Sequence, residues 1–293
     1  MNLAVTVLEI VAPVFLLAAV GFGWVRLGFE YRLQFVTRLG TMLAVPCLIF
    51  VALMKTDIPG GDLSRFTLAS ALAILVLTVV FGLIVRASGL DRRTYLPPLL
   101  FGNTGNLGLP LCMFAFGVEG LSYAVVFFSL SALWSFSYGI HVVAGQGSLS
   151  KVAREPMVWA TLLGALFLTQ GWQTPRFLTN ALELIGQMAV PLMLITLGVA
   201  IARLSIRRIG QAVGLSILKL AVCFPIGWLV AQGFGLSGPA LGVLVVQMSV
   251  PAAVSAYLLA ERFGADAEAV AGMVMVSTLL AVGALPLVLA AVL

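Results

Sequence analysis

The chain has 293 residues, of which 61% are hydrophobic and only 9% charged, with a formal net charge of +5. A water-soluble domain carries about 25% charged residues, so this chain lacks the polar groups to cover its own surface and needs lipid around it. Its cations fall in ones, twos and threes between apolar runs, which marks loop ends and excludes a phosphate-binding stripe for nucleic acid.

Apolar runs between charges and Gly, Pro or polar breaks predict an all-α polytopic membrane protein with ten spans. They are 3–25, 33–54, 66–87, 95–117, 120–142, 156–171, 177–202, 209–233, 238–262 and 267–292. The first run lacks a positive segment before it and is expected to be a retained helix rather than a cleaved signal. Glu9 lies two turns into it. The second span carries Pro46 within Met42-Leu43-Ala44-Val45-Pro46. The fourth carries Gly102-Asn103-Thr104-Gly105-Asn106-Leu107-Gly108-Leu109-Pro110, a poor continuous helix because glycine is flexible and proline lacks an N–H. The fifth ends at His141, which fits a place at the membrane interface. The widest polar gap, 145–155, falls almost at the midpoint.

Beyond it, the seventh span holds Glu183 and Gln187-Met188-Ala189-Val190-Pro191. The eighth places Lys219 near its centre, and the ninth holds Gln247-Met248-Ser249-Val250-Pro251 with Ser255 just beyond. A lysine at a helix centre costs about 2.5–3.5 kcal/mol on insertion scales. Lys219 is therefore expected to face protein or water, as a charge for an anion or a partner for a carboxylate; a long snorkel is the alternative. Glu9 and Glu183 are candidates for that partner or for a proton-linked group, or else sit at the outer interface. Cys47, Cys112 and Cys223 lie inside apolar runs and suggest neither a disulfide nor a metal site.

Orientation follows the Lys and Arg residues. The odd-numbered connections hold Arg26, Arg32, Arg38, Arg86, Arg92, Arg93, Lys151, Arg154, Arg203, Arg207, Arg208 and Arg262. The even-numbered connections hold only Lys55, Arg65 and Arg176. The odd connections are thus expected on the cytoplasmic side and both termini outside.

Two halves are legible in this order. Met42–Pro46 matches Gln187–Pro191, and Asn106–Pro110 matches Gln247–Pro251. Phe116-Gly117-Val118-Glu119 then matches Phe263-Gly264-Ala265-Asp266. Five spans per half make the halves insert with opposite orientation: 1–144, a connection at 145–155, and 156–293. In such inverted repeats substrate sites lie near midplane, where corresponding helices are broken. The fourth and ninth spans are the candidates, with Pro46 and Pro191 as kinks in the second and seventh. Half-helix N-termini at the break would favour an anion. Amides of Asn103, Asn106 and Gln247 would bond a carboxylate, or would simply tie neighbouring helices together.

Several stretches together resemble the auxin efflux carrier family, within the bile-acid/sodium symporter superfold. They are Ala12–Leu17 with Gly21, Leu43–Phe50, Gly102–Pro110, Lys219-Leu220 with Pro225, and Val250–Gly264. The resemblance covers the whole chain. It implies ten helices, crossover of the fourth and ninth at Pro110 and Pro251, and a scaffold of helices 1, 2, 6 and 7. Helices 3–5 and 8–10 would then form the transport unit. It also implies a permease for a small organic anion such as a carboxylate, a bacterial inner-membrane location and a homodimer. Ser255 stands where relatives often have Asn, and the long central loop of plant carriers is missing, which places the chain with short prokaryotic members.

The expected activity is secondary transport by alternating access, with no catalytic residues, cofactor or metal. A sodium-coupled symporter of the same superfold, or a membrane sensor or channel derived from it, are the alternatives. Na⁺ would find oxygen ligands in Asn103, Asn106, Gln247 and Ser249, H⁺ would need a carboxylate, and uniport needs neither. The sequence leaves the coupling ion open.

Overall fold

The computed structural model describes residues 3–56, 58–144, 155–204 and 209–293. Among them every regular element is helical, and the β-type contact is a single antiparallel bridge between Gly102 and Ala252. The connection expected over 145–155 lies outside the described residues except for Glu155, as do Lys151, Arg154, Arg207 and Arg208.

In chain order the helices are α1 (Leu3–Arg26), α2 (Leu33–Leu39), α3 (Val45–Met54), α4 (Gly60–Ala87) and α5 (Arg92–Leu100). Next come α6 (Leu109–Trp134), α7 (Ile140–Ala144), α8 (Pro156–Gln170), α9 (Arg176–Gln187) and α10 (Ala189–Arg203). The chain ends with α11 (Ile209–Gly233), α12 (Gly238–Ser249), α13 (Val254–Phe263) and α14 (Ala267–Val292). Among the described residues seven helical stretches are long and apolar enough to cross a membrane, and α8 and α12 are shorter apolar helices. Large apolar side chains such as Leu16, Leu83, Leu229 and Leu287 stand exposed on them, as expected where lipid is the solvent.

Prolines decide where these helices widen or stop. A proline ring clashes with the carbonyl four residues back, and a wider π turn relieves that clash. Gly40–Ala44 is π-helical just before Pro46, and Thr104–Gly108 is π-helical just before Pro110. The helix before Pro191 is interrupted at Met188, between α9 and α10. Gly117, with φ 65° and ψ −151°, breaks α6 near the point where the sequence divides its fourth and fifth spans.

The helices pack in two groups. In the first, α1 lies along α10 and α3 lies on α8 and α9. The α1–α10 contact is backbone to backbone: a Cβ at Gly198 would sit 1.7 Å from the Ala18 carbonyl oxygen, and one at Gly21 2.0 Å from that of Ile195. Small residues permit such approach between membrane helices. On the outer rim of this group Lys55 is ion-paired with Glu183. In the second group α12 packs on α11, α6 and α14, while α5 packs on α4 and α7. The groups meet where α1 touches α6 and α14, where α6 touches α3 and α8, and where the Thr104–Gly108 turn lies against α10.

Candidate functional site

Two helices of the second group stop at the same place. Asp91 caps the start of α5 by accepting from the Arg93 and Thr94 amides. Pro97 and Pro98 remove two donors from its last turns, and the chain leaves the helix at Phe101 (φ −95°, ψ 115°). On the opposite side α12 ends at Ser249 and the chain extends from Val250 (φ −64°, ψ 151°) to Ala253 (φ −71°, ψ 137°). Pro251, in the middle, cannot donate a backbone hydrogen bond.

The two extended stretches run antiparallel and satisfy each other. Asn103 N donates to Pro251 O at 2.7 Å, and Ala253 N donates to Phe101 O at 3.0 Å. Backbone groups freed by a broken helix must find partners inside protein when lipid surrounds it, and here each break is the partner of the other. Ala252 N donates to Ser277 Oγ on α14 at 3.0 Å. The contact needs glycine at 102, because a Cβ there would lie 2.7 Å from Val250 Cγ2.

Four helix ends therefore converge. The N-terminal ends are those at Thr104 and Val254, which carry partial positive charge; the C-terminal ends of α5 and α12 carry partial negative charge. Lys219, 3% exposed, donates from Nζ to the Leu99 carbonyl at 2.6 Å. It thus caps the broken end of α5 from α11. Neither Glu9 nor Glu183 forms an ion pair with it among the described residues: Glu183 is taken by Lys55, and Glu9 lies exposed on α1.

The structure gathers some of the expected residues and disperses others. Asn103 is buried, with Nδ2 lacking any partner. Gln247 is buried as well; its Nε2 donates to the Ala124 carbonyl at 3.4 Å while Oε1 is unpartnered. Ser249 donates back to Val245 O within its own helix. Asn106 is half-buried in the π turn. Pro110 does not sit at the crossing: it occupies the first turn of α6, where a proline without N–H costs nothing. Ser255 is exposed in the first turn of α13. A cavity of about 20 Å³, room for one water-sized occupant, lies beside the crossing between Phe101, Gly102, Thr104, Ser131 and Gln247.

Phe101, Ala252, Ala253, Ser277 and Leu99 escaped the sequence reading because they contribute backbone groups or a single hydroxyl. The one available signal was Pro97-Pro98 followed shortly by Gly102. The two Phe-Gly motifs both place glycine at positive φ, 65° at Gly117 and 68° at Gly264, but Gly264 is a left-handed helix cap (ψ 33°) whereas Gly117 (ψ −151°) is a break inside α6.

Comparison with known proteins places this geometry in context. The profile of the membrane transport protein family matches residues 6–152 and 145–289. An "Uncharacterized transporter" of Methanothermobacter thermautotrophicus is 28% identical over 95% of this chain and 96% of its own length. A "Putative malonate transporter" of Rhizobium meliloti is 23% identical over 82% of this chain and 81% of its own. A "Probable auxin efflux carrier component 5b" of Oryza sativa subsp. japonica is 28% identical over 44% of this chain and 37% of its own.

Proposed function

We propose that this chain, which belongs to the membrane transport protein family of auxin efflux carrier type, is a secondary transporter that moves a small organic anion by alternating access. The observation that carries the reading is the crossover itself. Two broken helices are hydrogen-bonded to each other at the break, with Ser277 and Lys219 holding one backbone group each, and two N-terminal helix ends and an unpartnered Asn103 amide donor are left to face a negative group. A carboxylate suits such donors, and the name of the Rhizobium relative makes malonate the first compound to try.

On this reading the helices form an inverted five-plus-five repeat of ten spans, with both termini outside and the Arg-rich connections cytoplasmic. Two features support it: the positive φ of the glycine after Phe116 and after Phe263, and the two stretches matched by the family profile, which meet in the central connection. The packing supports a scaffold of α1–α3 and α8–α10 against a moving unit of α4–α7 and α11–α14. The moving unit carries the whole crossover. The contacts that have to slide are those of α1 on α6 and α14, of α6 on α3 and α8, and of the Thr104–Gly108 turn on α10. A bacterial inner membrane and a homodimer complete the proposal.

The test is a thermal-shift screen of small organic acids on purified protein, with and without Na⁺ and at acid and neutral pH. A carboxylate should raise the melting temperature, by mass action on the folded state. Stabilisation by no acid under any condition would contradict the reading.

A further inference from the structure

The first turn of α5 has contacts that the crossover does not use. Arg92 Nη2 donates to the Tyr138 hydroxyl at 2.9 Å. Arg93 donates twice, from Nε to Val143 O and from Nη2 to Phe263 O, both at 2.8 Å. Thr94 is buried, and its hydroxyl, whose proton goes to Asp91, accepts from Asp266 N at 3.2 Å. Tyr95, also buried, donates from its hydroxyl to Gln211 Oε1 at 2.9 Å. Four consecutive residues thus reach α7 and the turn before it, the end of α13, the N-cap of α14, and α11.

The partners of Arg93 have a common character. Val143 and Phe263 lie in the last turns of α7 and α13, where backbone carbonyls carry partial negative charge. A guanidinium presents a rigid fork of donors that can hold two such carbonyls at once, whereas an ammonium is a single point. The other end of α5, two turns away, is the crossover. A force on the crossover is therefore passed along α5 to four neighbouring elements through one turn.

We propose that Arg92–Tyr95 is a hub that makes α5 move as one body with α7, α11, α13 and α14, and that Arg93 is a positioning residue acting through two helix ends. The inference rests on the moving-unit reading above. It predicts that Arg93 governs how fast the unit turns over and leaves the affinity of the crossover alone.

The experiment pairs counterflow of labelled malonate in liposomes with hydrogen-exchange mass spectrometry of the full chain, for wild type, Arg93→Lys, Arg93→Ala and Thr94→Val. Arg93→Lys should behave like Arg93→Ala. The maximal rate should fall about tenfold, with the half-saturating concentration held within about twofold. Exchange should rise in 140–144 and 254–263 together, while the near-isosteric Thr94→Val should raise it at the start of α14. Wild-type rates and protection in Arg93→Lys would overturn the hub, as would exchange rising at one helix end alone. Wild-type protein that moves no malonate would count against the transport reading, and the hub would still stand or fall on the exchange pattern.

Discussion

The two sides of the crossover solve the same problem with different chemistry. Both interrupt a membrane helix with an extended stretch, and both supply one donor and one acceptor to the other. The α5 side does so with polar and flexible residues: Gly102, Asn103, a π turn, and Nζ of Lys219 on the Leu99 carbonyl. The α12 side uses Val250, Pro251, Ala252 and Ala253, steadied by the Ser277 hydroxyl. On the proposed reading the α5 side supplies most of the recognition chemistry, and the α12 side supplies shape together with the unpartnered Gln247 Oε1. A ligand bound here would be read by the α5 side and accommodated by the α12 side.

Substitutions can break that division. The largest effect is expected from Pro251→Ala, which restores an N–H and lets α12 run on through the break. Counterflow should fall to background while the protein still elutes as a folded species. Gly108→Ala comes next, since its Cβ would lie 2.1 Å from Gln247 Oε1. Overpacking of that kind costs about 1–3 kcal/mol and should lower the melting temperature, whereas Gly23→Ala, with open space around it, should not.

Lys219→Met removes the donor at the end of α5 and leaves the buried Leu99 carbonyl unpaired, a loss of about 1–2 kcal/mol. Its signature is lower thermal stability together with faster exchange in α5 and little change in α12. Equal loss on both sides would show that Lys219 does not act on the end of α5 alone. The smallest effect belongs to Ser255→Ala, an exposed position, where stability should stay within about 0.5 kcal/mol and counterflow near wild type.

Much of the helix plan was legible in the sequence because lipid imposes long apolar runs. Leu3–Arg26, Leu33–Met54 and Ala267–Val292 follow the expected spans almost residue for residue. The site was legible in part. Pro251 and Asn103 are where a broken helix was expected, but Pro110 is one helix-start too late. Proline is tolerated in a first turn and disruptive only in a helix interior, and the sequence does not say which turn it will occupy. Lys219 was readable as buried and not as the cap on α5, since its partner is a backbone carbonyl 120 residues away. The bonds of Arg93, 50 and 170 residues distant, were hidden for the same reason.

The central claim is that the α5 side of the crossover reads the substrate. The decisive experiment is counterflow of labelled malonate in liposomes, wild type against Asn103→Ala, which removes the unpartnered amide. Wild type should show saturable counterflow and the variant background flux, with unchanged folding by thermal melt. Equal flux in the two proteins would contradict it.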